Sequence, residues 1–250
     1  MSLPPGFLAG PIAHRALHDR AAGRPENSRA AIRAALARGL AIEIDVQISA
    51  DGVAMVFHDD RLDRLTAVQG PVDARDAAAL GRIRLTGGDE GIPTLREVLA
   101  LVAGRVPLLI EVKDRDGAMG PGIGPLEDAV IADLAGYDGP VAVMSFNPHS
   151  VDHIRRHAPH LPRGLVTSAY HAQHWPGLSD ATRARLRAMP DLDRIGAQFI
   201  SHEAADLASP HVARAKAAGL PVLCWTVRSA AQAAEARRIA DQVTFEGYLP

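Results

Sequence analysis

The feature that most constrains this chain is an alternation repeated along its length. Short apolar runs of about strand length are separated by stretches rich in Ala, Arg and Leu with helical spacing. The runs are Phe7–Ala13, Ala41–Ile48, Val106–Val112, Val141–Phe146, Arg163–Thr167, Ile195–Ile200, Pro221–Val227 and Gln242–Phe245. The helical stretches are Asn27–Arg38, Thr94–Ala103, Pro125–Leu134, Pro148–His157, Ser179–Met189, Pro210–Ala218 and Ser229–Ile239. Strands alternating with helices imply a parallel sheet. Eight such units in 250 residues match the size of a closed α/β fold, the (β/α)8 TIM barrel. An open doubly wound sheet competes, but it would usually carry a glycine-rich nucleotide turn after its first strand. Here that turn reads Ala13-His14-Arg15-Ala16.

Local signals punctuate the same frame. Asn27-Ser28 suits a helix cap, and Thr94 with Glu97 has capping-box spacing. Gly39 and Gly219 stand where helices should stop. Asp59 to Pro93 is too long for a simple loop, and Val53–Phe57 before it reads as an extra short strand. This stretch is expected to be a small insertion after strand 2, on the C-terminal side of the barrel. Residues 1–250 thus read as one barrel domain with an insertion at about 59–93. The chain ends just after the eighth run, so the eighth helix is expected to be missing or replaced.

Charge and cysteine content narrow the function. The formal net charge is −2 with signs interspersed, which suits neither a basic nucleic-acid surface nor an acidic tail. Cys224 is the only cysteine, so no internal disulfide forms and a reducing compartment fits. Met1 to Gly10 lacks the basic and apolar regions of a signal peptide, and no apolar run is long enough to span a bilayer. A soluble, cytoplasmic protein is expected, acting on a small molecule with no nucleic acid and no membrane span. Nearly all basic residues are Arg; the only lysines are Lys113 and Lys216, so a lysine in a special place invites attention.

Barrel enzymes carry their chemistry at the C-terminal ends of strands. Here His14-Arg15 closes strand 1, Glu43 and Asp45 interrupt strand 2, and Glu111 and Lys113 close strand 3. Residues two apart in a strand face the same way, so Glu43 and Asp45 point together, as do Glu111 and Lys113. Three carboxylates buried unpaired would cost several kcal/mol each, roughly, and a divalent cation removes that cost. Oxygen-only ligands suit Mg2+ or Ca2+ better than zinc. The alternative is a set of ion pairs, Glu43 with an arginine and Glu111 or Asp45 with Lys113. His14 and His58 are candidate acid and base, since imidazole exchanges protons near neutral pH. Lys113 offers a compact charge for a phosphate oxygen.

These residues also form a pattern. His14-Arg15, Pro25-Glu26-Asn27-Ser28, Glu43-Ile44-Asp45-Val46, Asp51-Gly52, His58-Asp59 and Leu62-Asp63-Arg64-Leu65-Thr66 resemble the first third of glycerophosphodiester phosphodiesterases. Ile92-Pro93-Thr94-Leu95, Glu97-Val98-Leu99, Ile110-Glu111-Val112-Lys113 and Trp225-Thr226-Val227 extend the resemblance over nearly the whole chain. It implies a (β/α)8 barrel with a small insertion after strand 2, and a metal site of Glu43, Asp45 and Glu111. It implies further that His14 and His58 are the general acid–base pair, that Arg15 and Lys113 hold the phosphate, and that Trp225 lines the substrate pocket. The implied reaction is metal-dependent hydrolysis of a glycerophosphodiester to an alcohol and sn-glycerol 3-phosphate, within lipid and glycerol metabolism.

The chain departs from the family in three places. Ala16 stands where the family usually has Gly after His-Arg. The last strand ends Val243-Thr244-Phe245-Glu246-Gly247 where Thr-Asp is usual, and residues 147–210 match poorly. Other readings are a lysophospholipase D or a sugar-phosphodiester hydrolase of the same superfamily, a barrel that binds metal or phosphodiester without turnover, or an aldolase using Lys113 as a Schiff base.

His149, His153 and His157 lie at helical spacing without a His-Glu-x-x-His motif and read as a solvated or partner-facing stripe. His171, His174 and Trp175 fall in the loop after strand 5, on the active-site side, and read as ordinary loop residues or as contacts to the alcohol moiety. His18 and His202 lie near the mouth with no role assigned, and Asp59-Asp60 reads as a turn or a ligand pair.

Overall fold

The computed structural model describes residues 3–250. Its strands are β1 (Ile12–Ala13), β2 (Ala41–Ile48), β3 (Ala54–Val56), β4 (Leu108–Val112), β5 (Val141–Ser145), β6 (Arg163–Thr167), β7 (Ile200–Glu203), β8 (Val222–Val227) and β9 (Gln242–Phe245). Eight of them pair in parallel, and β1 joins both β9 and β2, so the sheet closes into a barrel. The short β3 folds back antiparallel on β2. The helices are α1 (Gly6–Ala9), α2 (Arg29–Leu36), α3 (Ala77–Leu80), α4 (Leu95–Val102), α5 (Pro125–Leu134), α6 (Pro148–His157), α7 (Asp180–Ala188), α8 (Pro210–Ala217) and α9 (Ala230–Ala236).

The alternation of β2 sets the layers. Ile42, Ile44, Val46 and Ile48 face out, where α2 and α4 supply Ile32, Leu95, Val98 and Leu99 to a shared core. The opposite face of β2 carries Ala41, Glu43 and Asp45; Leu109 and Glu111 of β4 alternate in the same way. Leu109, Ala142, Met144, Val166 and Leu223 fill the barrel interior below the polar residues. The register pairs Asp45 with Glu111, which brings the two acidic strand ends side by side.

The caps hold where sequence placed them. Ser28 accepts from Ala31 N at 3.1 Å, and Thr94 and Glu97 form the reciprocal capping box. The insertion packs Leu62, Val72, Leu80, Leu85 and Ile92 against Met55 and Phe57 in a small core of its own.

Two strands differ from expectation. Phe7–Ala13 is not one strand: Gly6–Ala9 is a helical turn, and only Ile12–Ala13 pairs. Phe7 enters the barrel-interior cluster, so its apolarity reports a plug for the barrel floor. Ile195–Ile200 is largely a turn, and β7 runs instead through the polar Ser201-His202-Glu203. Gly196, at φ 57, breaks the run, and buried Arg163 donates to Ile195 O at 3.2 Å to hold the turn. Cys224 is free and buried. Among the described residues no helix is long and apolar enough to cross a membrane.

Candidate active site

The C-terminal ends of β1, β2, β4, β8 and β9 open on a cavity of about 350 Å3. His14, Arg15, Glu43, His58, Glu111, Lys113 and Trp225 all line it. Asp45 is buried in the same set: Glu43, Asp45 and Glu111 each offer an oxygen within 4.8 Å of the others. The residues expected from sequence are therefore brought together in one place.

Each carboxylate is held in its own way. Glu43 Oε2 accepts the backbone N–H of Arg15 at 2.8 Å, while its Oε1 is buried with no hydrogen-bond partner. Asp45 Oδ2 accepts from Asn27 Nδ2 at 2.9 Å, with Arg15 Nε 3.7 Å away. Lys113 Nζ lies 2.6 Å from both Asp45 Oδ1 and Glu111 Oε1. The ion pairs considered as an alternative to a metal are thus half present: Lys113 bridges two carboxylates and leaves the third without a cation. Burial, then repulsion from Asp45 and Glu111, pushes Glu43 well above the ordinary carboxylate range. Asp45 goes the other way: burial would raise it, but Lys113, His58 and Arg15 together hold it well below. Burial likewise opposes the charge on Lys113, and Asp45 with Glu111 overcomes it and raises its pKa.

Both histidines are held at Nδ1 by a carboxylate. His14 Nδ1 lies 2.6 Å from Glu246 Oε2, and His58 Nδ1 lies 2.6 Å from Asp59 Oδ1. A carboxylate only accepts, so Nδ1 carries the proton and Nε2 is left for other partners. Burial lowers the pKa of His14, against the pull of Glu246. Asp59 is held in turn by Arg64 at 2.7 Å; Arg64 also reaches Glu26, which takes a 2.6 Å bond from Arg15. One ion-pair chain therefore runs from His58 to Arg15, with Asp59 in it rather than in an isolated turn.

Several of these partners escaped sequence reading. Glu246 is the acidic residue at the altered end of β9, and its place at a strand's C-terminal end was the available signal. Glu26, Asn27 and Arg64 sit inside the quoted motifs but looked like helix-start and insertion residues. Asn27 stands in left-handed backbone, φ 59, which turns its amide onto Asp45. Phe146, just past β5, lines the cavity with no sequence signal beyond its apolarity.

Other candidates lie apart. His153 Nε2 meets Asp128 at 2.7 Å and its ring stacks on His157 at 4.2 Å, on α6 and not in the cavity. His171 and His174 do not line it, whereas His18 does. His202 is buried in the barrel wall, with Nδ1 2.7 Å from Thr167 Oγ1. The Trp225–Thr226 peptide is cis.

Comparison with known proteins gives the same grouping. A family model described as the glycerophosphoryl diester phosphodiesterase family matches residues 14–243. A glycerophosphodiester phosphodiesterase of Caldanaerobacter subterraneus subsp. tengcongensis is 32% identical over 163 residues, a match spanning 60% of this chain and 65% of that protein. A putative glycerophosphodiester phosphodiesterase of Bacillus subtilis is 29% identical over 90% of this chain and 88% of its own length. Among solved structures, an Oleispira antarctica phosphodiesterase in complex with the product sn-glycerol-3-phosphate superposes with a TM-score of 0.77 at 26% identity, covering 96% of this chain and 93% of that one. A putative glycerophosphoryl diester phosphodiesterase of Silicibacter pomeroyi, at 23% identity and a TM-score of 0.79 over 98% and 94% of the two chains, shares the fold.

Proposed function

The chain belongs to the glycerophosphoryl diester phosphodiesterase family, and from that premise we propose that it hydrolyses glycerophosphodiesters to an alcohol and sn-glycerol 3-phosphate. One observation carries this reading. Two carboxylate-held histidines share a single cavity with a buried acidic triad, a lysine and an arginine. The Oleispira antarctica relative was solved with the same product.

The acidic triad fits a divalent cation, Mg2+ or Ca2+. Its donors are all oxygens, and Glu43 Oε1 is a buried acceptor with nothing to accept from. Bound by Glu43, Asp45 and Glu111, the cation would supply Lewis acidity at a phosphoryl oxygen. The protein's own groups do the rest. Lys113 and the Arg15 guanidinium, both lining the cavity, orient the phosphate. Burial keeps His14 neutral at pH 7, so its Nε2 takes the proton of the attacking hydroxyl. A new P–O bond forms, the P–O bond to the alcohol breaks, and His58 Nε2 delivers a proton to the leaving oxygen. The attacker is the neighbouring glycerol hydroxyl, through a cyclic phosphate that water opens, or water itself; both routes use the same pair. Trp225 walls the cavity on the substrate side. Lys113, raised and held between two carboxylates, is unsuited to a Schiff base. A single buried free cysteine supports a cytoplasmic location.

The test is release of sn-glycerol 3-phosphate from glycerophosphoethanolamine with Mg2+, with Ca2+ and with chelator. Release that chelator abolishes and a cation restores supports the reading. Well-folded protein that releases none with either cation would sink it.

A further inference from the structure

A second cavity, of about 650 Å3, adjoins the first, and His58, Glu111, Lys113, Phe146 and Trp225 line both. Aromatic rings form part of its lining. Phe146 lies 5.0 Å from Trp175 and 5.6 Å from Trp225 between ring centroids, and buried Tyr170 lies 5.1 Å from Trp175. The same cavity is lined by Asp60, Asp114 and Asp116. None of the three has an arginine or lysine partner among the described residues: Arg115 pairs with Asp73 at 3.2 Å, and Lys113 is taken by Asp45 and Glu111.

The two cavities differ in chemistry. The smaller one is lined by Ser201 and Thr244, whose hydroxyls are buried without a hydrogen-bond partner, which suits a polyol such as glycerol. The larger one joins aromatic side chains to carboxylates without a cationic partner, Asp114 being held by Asn147 Nδ2 and Met119 N, and its own cations are already paired. Ring faces attract a cation through their quadrupole, most strongly at tryptophan, and carboxylates add to that field. A neutral alcohol gains neither term.

We propose that this second cavity is the alcohol-side subsite and that it selects alcohols bearing an ammonium group over neutral ones. The orientation rests on the hydrolytic reading above: glycerol phosphate in the smaller cavity, the leaving alcohol against Trp175, Phe146 and the carboxylates. Binding of the alcohol itself does not depend on turnover, so the two can fail separately.

The chain has two tryptophans and both line this cavity, so intrinsic fluorescence reports on it. Choline is titrated beside its uncharged isostere 3,3-dimethylbutanol. Choline is expected to bind about tenfold more tightly, with affinity falling as salt rises. Asp60→Asn and Trp175→Phe are each expected to weaken choline by about three- to tenfold. In turnover, kcat/KM for glycerophosphocholine should exceed that for glycerophosphoglycerol by about tenfold, a ratio that Asp60→Asn lowers. Choline binding without turnover of any diester keeps the subsite and removes the hydrolytic reading. Turnover with equal preference for charged and neutral alcohols, and equal response to choline and its isostere, overturns the subsite and keeps hydrolysis. Tighter binding of lysophosphatidylglycerol than of glycerophosphocholine also overturns it, by placing an acyl chain on the aromatic wall.

Discussion

Glu246 grips His14: its Oε2 lies 2.6 Å from Nδ1 of the imidazole. The same oxygen approaches His18 Nε2 at 3.6 Å, and Oε1 takes Arg228 at 2.9 Å. The hydrogen bond to His14, with His18 and Arg228 close by, holds this carboxylate far below its usual range, so it stays charged and fixes the tautomer of His14.

Glu246→Ala should therefore lower kcat by about 100-fold with a smaller change in KM, by freeing the imidazole to turn. The pH profile separates this from general damage. Burial lowers the His14 pKa and Glu246 opposes that shift, so removing Glu246 lowers it further. The acid limb of the rate should sit below pH 6.5 in the parent and move to lower pH in the variant. An acid limb that stays in place would dissociate His14 from that ionisation.

His14→Ala and His58→Ala should each cut turnover by about 10²–10⁴. Cation affinity, measured by titration calorimetry, should survive in both, because neither is in the acidic triad. Near-parental turnover in both variants would end the acid–base assignment.

Glu43 gives a stability test. Its pKa in the fold is raised well above 4.5, so without cation the folded state binds more protons than the unfolded one. Its contribution is complete below about pH 4.5 and is lost as pH rises toward the raised value. Metal-free Tm, measured against pH, should fall across that window in the parent more steeply than in Glu43→Gln. Adding Mg2+ or Ca2+ should raise the parent's Tm and leave the variant's nearly unmoved. Parallel curves with no cation response would contradict a metal role for this group.

Ala16 occupies left-handed backbone, φ 64, with Arg15 at φ 52 before it. The departure from the family's glycine thus leaves a Cβ in a disfavoured region. Ala16→Gly should stabilise the protein by up to about 1 kcal/mol, the relief of strain being partly offset by the looser unfolded chain. Chemical denaturation measures it; a loss of stability would show that the Cβ contributes packing beyond its strain.

Much of this was legible because barrel strands must be apolar and their ends must not be. Glu43, Asp45 and Glu111 stood out as charges in buried strands, and parallel register then put Asp45 beside Glu111. The signal failed where apolarity had another cause, as at Phe7 in the barrel floor, and where a strand was polar, as at Ser201-His202-Glu203. Partners distant in sequence were invisible for the same reason: Glu246 reaches His14 only because β9 closes on β1. Tyr170 and Trp175 came from the stretch that matched the family least, where sequence placed Trp175 on the active-site side but gave no sign of its packing with Phe146 and Tyr170.

The central claim is that the bond broken lies on the alcohol side of the phosphorus. Phosphorus NMR of the products from glycerophosphocholine, with Mg2+ or Ca2+ present, reads this directly. The account predicts a growing sn-glycerol 3-phosphate signal matched by free choline; a phosphocholine signal, or an unchanged diester from folded and cation-loaded protein, would contradict it.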